Sequence, residues 1–229
     1  MREIVFDTET TGLSFAGGDR MVEIGCVELV NRVETGRTFH AYFHPERDMP
    51  VEAERVHGLS AAFLSKHPLF AAGVGALLEF IGDAPLIAHN AGFDFSFLNG
   101  ELERCGQTVV CRSRMVDTLA IARTRHPGAK HTLDALCNRY GIDRSHRVLH
   151  GALLDAQLLA QVYVELLGGR QIGLGLISEA PPVIAVEVVA APVRARPLRV
   201  FSPSDAELVA HAAFLKGVKE PLWGVAASD

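Results

Sequence analysis

The sequence predicts an α/β protein: a mixed β-sheet flanked by helices, followed by an extended C-terminal tail. Two patterns carry the sheet. Three strand-like runs up to Phe43 follow one another as a meander, and beyond them strand and helix patterns alternate, which implies a sheet of mixed direction. The tail is marked by a change of composition after Gly168-Gly169, where Pro, Ala and Val take over. With 229 residues, 48% hydrophobic and 21% charged, the chain can bury one good core and still carry an appendage.

Ile4 to Phe6 reads as the first strand. Val22 to Leu29 alternates at first and then turns more apolar, as a strand with one well-buried face does. A turn near Glu34-Thr35-Gly36 leads to a third strand, Thr38 to Phe43. Pro50 opens a short helix through Val56. Leu69 to Ile81 carries Leu69, Phe70, Val74, Leu77, Leu78 and Ile81 at helical spacing. Leu86-Ile87-Ala88 is wholly apolar, the pattern of a strand buried on both faces. Helices follow at about Phe93 to Cys105, Asp117 to Thr124, Thr132 to Tyr140 and Gly151 to Leu167.

In the tail, Ser178 to Arg199 holds four prolines and reads as a linker, although Val183 to Val189 is too apolar for a solvated one. Ser204-Asp205-Ala206-Glu207 is a capping-box signature for a helix from Asp205 to Lys216. The organisation is therefore a globular part over 1–170, a linker over 171–199 and a short helical segment over 200–229.

A net charge of -5 argues against a simple basic nucleic-acid coat protein. Locally the balance reverses. Arg104 to Arg147 holds nine basic residues against three acids, an excess of six positive charges that suits either a solvated helical surface or a phosphate-tracking face. Cys26, Cys105, Cys111 and Cys137 form no CxxC pair and read as reduced thiols. No leader peptide and no membrane-length apolar run is visible, so a cytoplasmic protein is expected.

The chemistry concentrates in three stretches. In Phe6-Asp7-Thr8-Glu9-Thr10-Thr11-Gly12, Asp7 and Glu9 are two apart on a strand and share a face. Two adjacent anions repel, which suggests a divalent cation between them. In His89-Asn90-Ala91-Gly92-Phe93-Asp94, Asp94 enters the first turn of a helix directly after a buried strand; favourable interaction with the helix dipole is its structural alternative. In His150-Gly151-Ala152-Leu153-Leu154-Asp155, Asp155 falls on an apolar helical pattern, where a carboxylate is costly unless neutralised by a metal or an ion pair.

In this order the stretches resemble the three motifs of the DEDDh family of 3′–5′ exonucleases, and the third, His-x4-Asp, matches the His subclass. The likeness spans Met1 to Leu167. It implies a ribonuclease H-like exonuclease fold and two Mg²⁺ or Mn²⁺ ions. Asp7, Glu9 and Asp155 would bind the first ion, Asp7 would bridge, and Asp94 would hold the second through water. His150 would be the general base, a role suited to an imidazole of reference pKa about 6.5. The family also implies that Thr10, Thr11, Leu13 and Asn90 contact the terminal nucleotide of a single-stranded DNA 3′ end, with His57 a further candidate.

The remainder resembles the epsilon-subunit family of bacterial DNA polymerase III. Gln171, Leu174 and Leu176 have the Q-x-x-L-x-L form of a sliding-clamp-binding peptide. Leu208, Phe214, Leu215 and Trp223 resemble the segment that binds the polymerase alpha subunit. A proofreading exonuclease is thus implied. A stand-alone exonuclease for RNA or short oligonucleotides, and a non-catalytic tether between polymerase and clamp, remain alternatives.

Overall fold

A computed structural model describes residues 1–145, 149–169 and 202–219. Its contacts divide the chain into two units, Met1–Ile177 and Ser178–Asp229. The first unit is built on five strands: β1 (Arg2–Thr10), β2 (Met21–Val30), β3 (Val33–Tyr42), β4 (Leu86–Ala88) and β5 (Met115–Asp117). Its helices are α1 (Val51–His57), α2 (Ala61–Leu64), α3 (Phe70–Ile81), α4 (Gly92–Arg104), α5 (Thr118–Arg125), α6 (Leu133–Tyr140) and α7 (Ala152–Leu166).

The strand order is β3-β2-β1-β4-β5. β1, β2 and β3 pair antiparallel, whereas β4 and β5 run parallel to β1. The predicted mixed sheet therefore holds, with β1 at its centre. The β2–β3 turn is not at Glu34-Thr35-Gly36 but at Asn31 and Arg32, with φ of 52° and 66°, and β3 already begins at Val33. Two consecutive left-handed residues match the twist of a tight hairpin.

The alternation of β1 sorts two cores. Ile4 and Phe6 face α3 and α4, packing with Val74, Leu77, Phe95 and Leu98. Val5, with Val27 and Ile87 beside it, faces α7 at Ala156, Leu159 and Ala160. α5 and α6 close over the outer side of α7 through Ala122, Leu136 and Leu158. Asp7 thus belongs to the α7 face and Thr8 to the α4 face, so β1 delivers polar groups to both sides where it leaves the core.

One position sets how closely α7 approaches. Gly25 pairs with Asp7 in the β1–β2 ladder, so both lie on the α7 face. A Cβ at Gly25 would stand 2.3 Å from the Leu153 backbone. The missing side chain is what lets the first turn of α7 rest on the sheet.

In the second unit, α8 (Asp205–Leu215) starts with the predicted capping box: Ser204 Oγ accepts from the Glu207 N–H, and the Glu207 carboxylate accepts from the Ser204 N–H. Val183 to Val189 lies outside the described residues.

Candidate active site

β1 carries Asp7 and Glu9 out of the sheet, and the β1–β2 pairing slips just beyond, between Glu9 and Thr10. α7 approaches from the same face. Its entry brings His150 and Asp155 to Glu9, so that one ligand atom from each of the three lies within 4.8 Å of the others. His150 Nδ1 is 3.2 Å from Asp155 Oδ2, and the His150 backbone N–H donates to the Val56 carbonyl, which ties the α7 entrance to the end of α1. Asp155 is only 3% exposed, inside a helix face that otherwise carries Ala152, Ala156 and Leu159.

Asp7 stands on the same strand face as Glu9, one pleat nearer the core, and is partly buried. Asp94 is not a member of the three-residue cluster. It comes from the α4 side, where its Oδ1 accepts a 2.7 Å bond from Thr8 Oγ1. Thr8 lies between Asp7 and Glu9, so this bond holds Asp94 level with them across the edge of the sheet. Asp94 is 3% exposed. Burial pushes its carboxyl up to about 7, against the opposing pull of Thr8. Buried carboxylates converging from three elements are a donor set for a hard cation, which takes oxygen ligands and relieves their repulsion.

Beside the cluster lies a cleft of about 430 Å³, lined by Thr8 to Leu13, by Pro50, Glu52, Ala53 and Val56 around α1, and by Phe93. Thr10, Thr11 and Leu13 of the predicted substrate contacts are therefore here. Thr10 Oγ1 donates to the Gly12 carbonyl and Thr11 Oγ1 accepts from the Arg20 N–H, which leaves Leu13, 86% exposed, at the tip of the turn.

Asn90 and His57 do not line this cleft. Asn90 holds a left-handed φ of 64°, and Asp117 Oδ1 accepts from the Asn90 and Ala91 N–H groups while also capping α5. His57 is buried at the end of α1. Its Nδ1 accepts from the Leu59 N–H, which puts the proton of the neutral ring on Nε2, and Nε2 has no hydrogen-bond partner among the described residues. Burial holds this imidazole below its ordinary pKa, with Glu23 and the Thr10 backbone acting in the opposite sense.

Sequence reasoning missed Thr8, Asp117 and Gly25. Alternation along β1 places Thr8 opposite the two acids, an Asp before a helix is a capping signal, and a lone Gly in a strand marks close backbone approach. The basic stretch is partly absorbed by the fold. Arg114 donates to the Gly82 and Ala84 carbonyls, Arg125 to the Leu166 carbonyl, Arg104 to Glu46, and Arg144 pairs with Asp134. Among the described residues no helix is long and apolar enough to cross a membrane.

An exonuclease family model matches residues 4–163. DNA polymerase III subunit epsilon of Rickettsia conorii is 48% identical over 223 residues, covering 95% of this chain and 96% of the relative. The chain belongs to the epsilon-subunit family of exonucleases. The Escherichia coli K12 subunit of the same name is 41% identical to this epsilon-family chain over 228 residues, with 96% and 94% covered. Among solved structures, the nuclease domain of 3′hExo, a DEDDh family member bound to rAMP, shares the fold. It has a TM-score of 0.63 at 16% identity, with 72% of this chain and 91% of that one covered. Exonuclease X in complex with 5′ overhanging duplex DNA gives 0.54 at 22% identity, covering 72% and 90%. The epsilon-family fold is thus the ribonuclease H-like one expected from the sequence.

Proposed function

We propose that this chain removes nucleotides one at a time from the 3′ end of a DNA strand, as the proofreading exonuclease of a replicative polymerase, and releases nucleoside 5′-monophosphates. The observation that carries the reading is the meeting of Glu9, His150 and Asp155 beside a cleft of nucleotide size.

Asp7, Glu9 and Asp155 would hold one divalent ion, and Asp7 with Asp94 a second, Mg²⁺ or Mn²⁺ in each case. Such ions supply neutralisation of the phosphate charge and a more acidic water. His150 takes the proton of the attacking water. With a proton on Nδ1 facing Asp155, its Nε2 keeps the lone pair that this step needs. The Thr10–Leu13 turn seats the terminal nucleotide, and the exposed Leu13 offers apolar surface to a base. His57 and Asn90, which do not line the cleft in this structure, would reach the nucleotide only on its binding. A mismatched end frays more readily, so it reaches the cleft as a single strand at lower cost.

The same reading extends to the tail. Leu208 and Phe214 are exposed on α8 and Leu215 is half-buried, a surface suited to the polymerase alpha subunit together with Trp223. Gln171, Leu174 and Leu176 would engage the sliding clamp. These three and Trp223 lie outside the described residues. Exonuclease, linker and polymerase-binding parts over 1–170, 171–199 and 200–229 would then let a tethered nuclease act at high effective concentration.

The test is Asp7→Ala assayed on 3′-labelled single-stranded DNA with Mg²⁺ or Mn²⁺. Digestion falls to background while the circular dichroism of the fold is retained. Unchanged digestion would overturn the mechanism.

A further inference from the structure

Arg20 lies outside the three motifs, yet it is buried and bonded in four directions. Its Nε and Nη2 donate to Glu101 Oε1 and Oε2 at 2.7 and 2.9 Å. Its Nη1 donates to the Pro45 carbonyl at 3.2 Å and to Glu46 Oε2 at 3.0 Å. Its backbone N–H donates to Thr11 Oγ1, and its carbonyl accepts from the Thr11 N–H at 2.9 Å. Glu101 is fully buried and also accepts from the Met21 N–H.

These bonds reach one lining residue of the nucleotide cleft, Thr11, and two segments that continue into its other lining residues. Thr11 belongs to the Thr10–Leu13 turn, which forms one wall. Pro45 and Glu46 belong to the loop that leads to Pro50 and α1, which also line the cleft; Glu46 holds a left-handed φ of 55°, a backbone state that needs outside support. Glu101 is on α4, the helix that supplies Phe93 to the cleft and Asp94 to the acidic site. Asp94 has its own anchor in Thr8, so the acidic site does not depend on Arg20 for its hold on β1.

We propose that Arg20, through its fork to Glu101 and its bonds to Thr11 and Glu46, is a positioning residue that sets the width of the terminal-nucleotide cleft. A planar guanidinium can hold two oxygens of one carboxylate and a third acceptor in fixed directions, which an ammonium cannot. Breaking this hub therefore loosens the seat of the 3′ nucleotide while leaving the carboxylates in place. The inference rests on the reading that the Thr10–Leu13 turn contacts that nucleotide.

The experiment compares full-length Arg20→Met/Glu101→Leu, Arg20→Lys and Leu13→Ala with the parent on single-stranded DNA, together with Mn²⁺ binding without DNA. Replacing a buried ion pair by apolar residues of similar size is often tolerated by the fold. The paired variant is expected to keep its Mn²⁺ affinity within about twofold and to raise KM on the order of tenfold, with a smaller change in kcat. Arg20→Lys gives the same split at reduced size, and it supplies the answer if the pair does not fold. A folded variant with parental KM, or one that loses Mn²⁺ binding as its main defect, overturns the role of Arg20. If Leu13→Ala leaves KM untouched, the assignment of the turn to the nucleotide falls, and the inference with it.

Discussion

Replacing Asp94 by asparagine separates what that carboxylate does for chemistry from what it does to the fold. Burial raises its folded pKa from 3.8 to about 7. Each unit is worth about 1.4 kcal/mol, so in metal-free protein well above pH 7 the ionised group lowers stability by about 4 kcal/mol. The sign follows from which state loses its proton first. At pH below 3.8 both states hold it and the penalty vanishes. As pH rises, the unfolded chain ionises first, and stability falls until the folded carboxyl ionises near 7; beyond that the deficit is constant. The amide of the Asp94→Asn variant can still accept from Thr8 Oγ1 and carries no charge. In urea denaturation with chelator at pH 8.5, Asp94→Asn is therefore expected to be several kcal/mol more stable than the parent, about 4 at most. At pH 4.5 the gap shrinks to about 1 kcal/mol. Adding Mg²⁺ stabilises the parent more than the variant, which keeps only the ligands of the first ion, and the variant does not digest DNA. A variant that is no more stable at pH 8.5, or a gap that does not close in acid, would refute the account of Asp94 as a buried charge awaiting a cation.

Gly25→Ala inserts a methyl group 2.3 Å from the Leu153 backbone and must push α7 away from β2. A loss of about 1–3 kcal/mol in thermal or urea unfolding is expected, together with a fall in kcat of about a hundredfold, because His150 and Asp155 ride on that helix. Parental kcat in a folded Gly25→Ala protein would show that the close approach does not set the site. Deleting residues 200–229 should leave digestion of free single strands intact and abolish association with the polymerase subunit in gel filtration. Co-elution of the shortened chain with the polymerase would contradict the role given to α8.

The parts legible in the sequence were those written in local spacing. Asp7 and Glu9 at strand spacing, Asp94 at a helix start and Asp155 within an apolar helix each declare themselves within a few residues. The capping box at Ser204 and Glu207 is equally local and is present. The β2–β3 turn was misplaced because Gly36 is the obvious residue for positive φ, while the chain actually turns on Asn31 and Arg32. α2 and β5 are too short to show a period. The hold of Thr8 on Asp94, and of Arg20 on Glu101, joins residues 86 and 81 positions apart, and no window of sequence contains both members of either pair. His57 was legible as a candidate for the site; its burial at the end of α1, outside the cleft lining, depended on how α1 packs.

The place of α7 at the heart of the site has a temporal consequence. β1 is the first strand of the sheet and α7 the last described helix of the first unit, so Glu9 and Asp155 are brought together across most of the exonuclease region. Contacts of such long range are slow to form, since the intervening chain must be ordered before they are rewarded. A nascent or truncated chain that stops before His150 carries Asp7, Glu9 and Asp94 but has neither His150 nor Asp155. Under the proposed mechanism cutting would begin only when α7 docks, and incomplete chains would be catalytically silent around DNA.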